Sequence, residues 1–164
     1  MSSAGAPRPF EEEALFNPAF LSLILREAAK EFFERSGGRD LPAMLAYLIA
    51  PVALHGPTRQ TLPRSVTAQM GEWVRAHPAA LVDLPQRARS LRPLVSAAAC
   101  FGLRSGVLGG EQGVLRAGAI KRRPHGMDRS ADVDDCLSRA GFLGRWVAEQ
   151  ADATTTLAIW GLRA

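Results

Sequence analysis

Residues 83–118 read DLPQRARSLRPLVSAAACFGLRSGVLGGEQGVLRAG. In the first part of this stretch, apolar residues recur at spacings of three and four, which predicts a helix capped by Asp83. From Gly106 the pattern becomes extended, and two short apolar segments, 107–108 and 114–116, flank a glycine-rich turn. A helix followed directly by a hairpin is the local pattern of a winged-helix module. We therefore expect a mainly α fold with a small β-hairpin or sheet, an α+β domain that is winged-helix-like.

Two features of this stretch leave the details open. Pro93 predicts either a kinked helix or a short helix followed by a longer one, because proline removes a backbone donor. Phe101 and Leu103 are expected to pack inward. A hairpin needs a third strand or a helix to be stable. The β-branched and apolar segment 155–162 is predicted to be that third strand.

A helical hairpin is predicted upstream. Asn17, followed by proline, marks a helix start, and the apolar periodicity continues to about Arg35, where glycines end it. A second helix is expected to open at Pro42 and to be buried, since its sequence is apolar nearly all round. Pro51 predicts that this second helix kinks or ends near Ala50.

The length of 164 residues allows one domain with a real core. Residues 1–15 are expected to be a flexible N-terminal tail, and residues 16–164 a single α-rich winged-helix-like domain. The sequence has no run of about 18 apolar residues and no secretory-signal layout, so we expect a cytoplasmic protein without membrane contact. Cys100 and Cys136 are expected to be buried, reduced thiols.

The basic charge is concentrated in the middle of the chain. The formal net charge is +4 and the pI is near 9.8, while many of the acids lie in the flanks, at 11–13 and 128–135. A basic centre suggests a polyanion or an acidic protein as partner. Biased codon usage in an arginine- and alanine-rich chain explains the same charge equally well, and both explanations stay open.

Two segments carry candidate contact residues. The segment 55–65, HGPTRQTLPRS, is predicted to be an exposed loop whose hydroxyl and guanidinium groups suit phosphate oxygens or a protein partner. More commonly, a segment of this kind is only a solvated turn, and here Ser65 would cap a third helix at 66–76. A second exposed loop, 119–126, holds the densest basic run. The candidate contact residues are His55, Thr58, Arg59, Arg64, Arg104, Lys121, Arg122 and Arg123.

No arrangement of residues predicts catalysis, a metal or a cofactor. The three histidines do not combine with cysteines or acids at metal-ligand spacing, and no glycine-rich loop has the sequence of a phosphate-binding loop. Cys100 has no histidine near it in sequence. Asp132, Asp134 and Asp135 could bind a cation, but behind a cap at Ser130 such acids far more often complement the helix dipole. We therefore expect a protein that is not an enzyme.

Five segments of the chain resemble a known family. They are FNPAFLSLILREAAKEF (16–32), LAYLIAPVALHGPTRQTLPRS (45–65), RARSLRPLVSAAACFGLRSGVL (87–108), GFLGRW (141–146) and TTTLAIWGLR (154–163). Together they look like the middle component of bacterial three-component ABC systems, which is related to the small subunit of Lamassu-type anti-phage defence complexes. The most specific pieces are Asn17 with its proline, the segments 55–59 and 62–63, and the segment 101–104.

The resemblance implies a non-catalytic adaptor or regulatory subunit in a hetero-oligomer. In such systems an SMC-like or ABC-type ATPase hydrolyses ATP and senses foreign nucleic acid, and a third component is usually the effector. The middle component would bridge them, and double-stranded DNA would be reached through the complex. The alternative is a winged-helix DNA-binding transcriptional regulator, in which Arg87, Arg89 and Arg92, or Arg104 at the wing, contact phosphate.

Overall fold

The computed structural model describes residues 17–120 and 130–163. In these residues the helices are α1 Pro18–Arg35, α2 Ala46–Leu54, α3 Gly56–Thr61, α4 Met70–Ala76, α5 Leu84–Ser105, α6 Ala131–Ala148 and α7 Ala153–Ile159, and the strands are β1 Leu41–Pro42, β2 Leu108–Gly109 and β3 Val114–Ala117. The fold is mainly helical with a small antiparallel sheet, which confirms the predicted α+β class. None of the helices in the two described ranges is long and apolar enough to cross a membrane.

Helix α1 forms as predicted. The Asn17 side chain accepts a hydrogen bond from the Ala19 amide at 2.9 Å, which satisfies one of the free donors of the first turn. At the other end, the Ser36 amide donates to the carbonyl of Phe32 at 2.8 Å before two glycines with positive φ. One face of the helix is buried, so α1 supplies a large part of the core.

Helices α1 and α6 make the most extensive contact between elements of the described chain and form its central pair. They approach so closely at Gly144 that a Cβ there would lie 2.2 Å from the Ala28 carbonyl oxygen. Further along, Arg145 donates to Glu31 at 2.8 Å. The small residue at the crossing therefore sets the distance between the two helices.

The sheet has the order β1-β3-β2 with antiparallel pairing, and Leu41 pairs with Leu115. The predicted hairpin is confirmed, but the prediction of a third strand at 155–162 is wrong. That segment contains helix α7, because Asp152 caps it by accepting a hydrogen bond from the Thr155 amide at 2.7 Å. The third strand is β1, whose Leu41 is fully buried beside the hairpin.

Two proline predictions are corrected. Helix α5 continues unbroken through Pro93, so the alternative of two separate helices is wrong. Pro93 lies on the exposed side, where water can bond the carbonyl that lost its partner. Helix α2 begins at Ala46, after β1 and a 3-10 turn, rather than at Pro42. It does not end near Ala50 and instead includes Pro51 as a buried residue, since packing on all sides holds the helix.

A cluster of three tryptophans joins α4, α6 and the end of α7. The rings of Trp73 and Trp146 meet edge to face at 5.7 Å, and Trp146 and Trp160 do the same at 6.2 Å. The indole N–H of Trp146 donates to the Ala68 carbonyl at 2.8 Å, and that of Trp73 to the Thr61 carbonyl at 3.2 Å. The buried rings therefore keep their polar groups satisfied.

The two cysteines differ in burial. Cys136 is buried in α6, as predicted, and burial raises the pKa of its thiol to about 11. The prediction for Cys100 is wrong, because this residue is exposed on α5. The helical periodicity of its segment is real, but its outer side meets no other element of the described chain.

Candidate functional site

The segment 55–65 contains a short helix, Gly56–Thr61, and so is not the exposed loop that was predicted for its whole length. Helix α3 carries a proline in its first turn and begins after His55, whose Nδ1 accepts from the Thr58 amide at 3.3 Å. Thr58 Oγ1 lies 2.7 Å from the same nitrogen and is buried. The expected helix at 66–76 starts later, at Met70, because Ser65 closes a turn by accepting from the Thr67 amide. A histidine acting as a cap thus replaces the more usual Asn, Asp or Ser.

Arg59 is buried and uses its donors inside the chain. Its Nε donates to Asp135 at 2.5 Å, its Nη1 donates to the Ala53 carbonyl at 2.8 Å, and its Nη2 donates to Asp132. These bonds join α2 and α3 to the first turns of α6. Burial acts to lower the pKa of Arg59, but the bond to Asp135 and the nearby carboxylates outweigh it and the pKa is raised. Contact of Arg59 with a partner stays a prediction that requires these carboxylates to be displaced.

The ring of His55 is held in a neutral form. Burial lowers its pKa, the positive charges of Arg87 and Arg59 act in the same direction, and Asp83 opposes them. Because the Thr58 amide can only donate, Nδ1 must accept, and the proton of the neutral ring lies on Nε2. His55 can therefore cap α3 and still offer one donor.

The remaining candidate residues do not lie together. Arg64 is exposed between α3 and α4, on a segment that Arg139 holds by donating to the Leu62 carbonyl at 3.0 Å. Arg104 is exposed in the last turn of α5, about 25 Å along the helix axis from Arg87, which lies beside His55. The candidates Lys121, Arg122 and Arg123 lie outside the described residues.

The outer face of α5 is the largest feature that the sequence reasoning missed. Phe101 and Leu103 were expected to pack inward, and both expectations are wrong, since they are 42% and 46% exposed. We define the α5 outer face as Arg89, Arg92, Pro93, Ala97, Cys100, Phe101, Leu103 and Arg104, all of which are exposed. Its first half is basic and its second half is apolar. The apolar spacing was visible in the sequence, but it could not show which side of the helix the core covers.

The chain matches one known family over residues 6–164, nearly its whole length. That family is the ABC-three component (ABC-3C) system Middle Component 3. The chain belongs to this family. No similar protein was found among the curated proteins or the solved structures.

Membership confirms the resemblance to a middle component and implies partner subunits, since the family is one part of a system of several components. For a middle component, an apolar helix face left open in the described chain is a natural place of contact. His55, Thr58, Arg64 and Arg104 stay predicted contact residues.

Proposed function

We propose that this middle component is a non-catalytic, cytoplasmic adaptor that bridges an SMC-like or ABC-type ATPase and an effector in an anti-phage defence complex. The observation that supports this most is the apolar half of the α5 outer face. Two large apolar side chains, Phe101 and Leu103, are each more than two fifths exposed there, and because they are two positions apart they lie at opposite edges of this face, with Cys100 between them. Single exposed apolar residues are ordinary, but two large ones within one turn of an exposed helix face favour a protein contact.

The composition of this face favours a protein partner. Large apolar side chains supply most of the energy of a protein interface, and an arginine at the edge supplies orientation. Arg104 lies in the last turn of α5, at the end of the apolar half. The partner surface that fits this face is an apolar groove with an acidic residue at one side.

The order of elements supports a winged-helix-like arrangement. Helix α1, strand β1, helix α2, helix α5 and the β2–β3 hairpin occur in this chain order, with α3 and α4 inserted between α2 and α5, and the strands order as β1-β3-β2. In a winged-helix module, the helix before the hairpin is the recognition helix, which contacts DNA. Here that helix is α5, which carries the exposed face.

Co-purification with the ATPase component of such a system tests the adaptor role. The wild-type chain should co-elute with the ATPase, and Phe101→Glu should weaken the complex at least about tenfold, because a buried carboxylate at the interface stays unpaired. Phe33→Glu is a matched control, since Phe33 on α1 is 40% exposed, close to the 42% of Phe101. An equal loss in both variants, or none in either, would contradict the assignment of this face.

A second candidate function is direct contact with double-stranded DNA. Arg89, Arg92 and Arg163 line one cleft of about 450 Å³ between α5 and the end of the described chain. Arg92 also lies over the ring of Tyr47 at 5.5 Å, which positions its charge. Clustered arginines suit phosphate oxygens.

The salt dependence of binding distinguishes the two functions. If the chain contacts DNA, affinity should fall steeply between 50 and 200 mM salt, and the double variant Arg89→Gln, Arg92→Gln should reduce the slope of log K against log salt by about 2. A slope that does not change in this variant would remove the cleft from consideration as a DNA contact.

A further inference from the structure

A second cavity lies where the end of α2 meets the first two turns of α5. Its volume is about 360 Å³, which is enough for one or two amino-acid side chains. Pro51, Leu54 and Leu91 form an apolar wall, and His55 and Arg87 are among its polar lining residues. We call it the Arg87 cavity. The cleft described above lies elsewhere, and its lining residues are different.

Arg87 is the unusual residue of this cavity. Its Nε and Nη2 atoms are fully buried and have no hydrogen-bond partner among the described residues. Burial lowers its pKa, and the nearby charge of Asp83 only partly opposes that effect. A buried cationic donor left without an acceptor is destabilising, and such groups are rare in folded proteins. A ligand that supplies an acceptor would remove this cost.

Two other arginines of the chain show what the Nε–Nη2 edge of a guanidinium group binds. Arg116 donates through Nε and Nη2 to the two carboxylate oxygens of Asp40, at 2.8 and 2.7 Å. Arg59 also uses Nε and Nη2 to bind carboxylates. The Nε–Nη2 edge matches a carboxylate geometrically, so two parallel charge-assisted bonds form. Arg87 lines a cavity, and no described residue supplies an acceptor to the Nε–Nη2 edge of its guanidinium group.

The other walls restrict the ligand further. The apolar side formed by Leu54 and Leu91 favours a ligand with an aliphatic group beside its carboxylate. His55 brings a neutral ring to the lining, whereas the Asp83 carboxylate also lines the cavity and repels an anion, so two charge-assisted bonds from Arg87 are needed to outweigh that repulsion. Because both Nε and Nη2 are buried, a ligand can meet this edge only if the Arg87 side chain rotates about its torsions.

We propose that the Arg87 cavity binds a carboxylate carried beside an aliphatic side chain, as in an acidic segment of a partner subunit. The chemistry of the ligand follows from the cavity alone, and only the partner as its source rests on the adaptor function. The site is far from the apolar half of the α5 outer face, so it is a separate point of contact.

The dipeptide Ac-Leu-Glu-NH2 and its neutral isostere Ac-Leu-Gln-NH2 are the probes for the site. In protein labelled with ¹⁵N, the Arg87 Nε–H resonance should shift and saturate with the glutamate probe, and the affinity for the glutamine probe should be at least about tenfold lower. Arg87→Met should lose binding of the glutamate probe, and Arg75→Met, at an exposed position on α4, should keep it. Equal affinities for the two probes, or unchanged binding in Arg87→Met, would overturn the proposal.

The melting temperature separates this role from a structural one. Because Arg87 has no acceptor in residues 17–120 and 130–163, Arg87→Met should melt at a higher temperature than wild type, and the glutamate probe should raise the melting temperature of wild type only. A lower melting temperature for Arg87→Met would show that Arg87 stabilises the fold and would contradict the proposal.

Two further experiments identify the source of the carboxylate. Replacing Glu11, Glu12 and Glu13 together by glutamine should leave probe affinity unchanged, whereas a tenfold rise would assign the cavity to the chain's own acidic segment. In co-purification with the ATPase, Arg87→Met should weaken the complex and Arg75→Met should not. If both variants keep full binding, the partner assignment fails although the adaptor role stands. If wild type itself never co-elutes, the adaptor role fails, and the probe results still decide the chemistry of the site.

Discussion

At the scale of single residues, Arg59 shows how burial changes the meaning of a basic side chain. In the sequence it belongs to a polar segment and suits phosphate, yet in the fold its donors face Asp132, Asp135 and a carbonyl. The acids were interpreted as helix-capping residues, and nothing in the sequence links positions more than 70 residues apart. A partnership of this kind depends on the packing of α3 against α6, which local pattern does not encode.

Replacing Arg59 by alanine should destabilise the chain by about 2–4 kcal/mol, because two carboxylates and a carbonyl lose their donor. Urea denaturation measures the free energy of unfolding. Arg64→Ala is the control, since Arg64 is exposed, and its effect should stay within about 0.5 kcal/mol. Similar stabilities of the two variants would show that the bonds of Arg59 contribute little.

His55 should make the stability of the fold depend on pH. Its pKa is lowered from 6.5 in the folded chain, so protonation favours the unfolded state. The contribution of His55 is therefore complete above pH 6.5 and is lost as the pH falls below it. His55→Asn keeps a capping side chain and removes the titration. Between pH 7 and 5, wild type should lose stability more steeply than His55→Asn, and parallel curves in denaturant titrations would contradict this.

At the scale of elements, the close contact of α1 and α6 rests on one glycine. Gly144→Ala should destabilise the chain by about 1–3 kcal/mol, since the new Cβ would lie 2.2 Å from the Ala28 carbonyl oxygen and the helices must separate. Gly71 in α4 is the control, because a Cβ there meets no atom within 4 Å. Gly71→Ala should instead stabilise by about 0.5–1 kcal/mol. Thermal denaturation that ranks the two variants in the opposite order would refute the close contact.

Elements with strong local signals were predictable from the sequence, and those decided by distant contacts were not. The caps at Asn17 and Ser130 and the glycine-rich hairpin are local features, and all three are present. The segment 155–162 has strand-forming residues, but the cap at Asp152 makes most of it a helix. Strand β1 has only two residues and forms because its position beside β3 is determined by the whole fold.

At the scale of the whole molecule, the candidate site was only partly predictable. The sequence indicated that α5 was central, and family membership confirms the type of system to which the chain belongs. The sequence could not indicate that Phe101 and Leu103 are exposed. The core covers a different side of α5, at Val95, Ala98 and Gly102. Nor could the sequence show that Arg87 lacks an acceptor within the described part of the chain, which is a property of its three-dimensional surroundings.

The central claim is that the apolar half of the α5 outer face binds the ATPase subunit. The most direct measurement is the affinity of the purified chain for that ATPase, compared for wild type, Phe101→Glu and Phe33→Glu. We predict that Phe101→Glu binds at least about tenfold more weakly than wild type and that Phe33→Glu binds as wild type does. Equal affinities of all three proteins, or the absence of any binding by wild type, would contradict the claim.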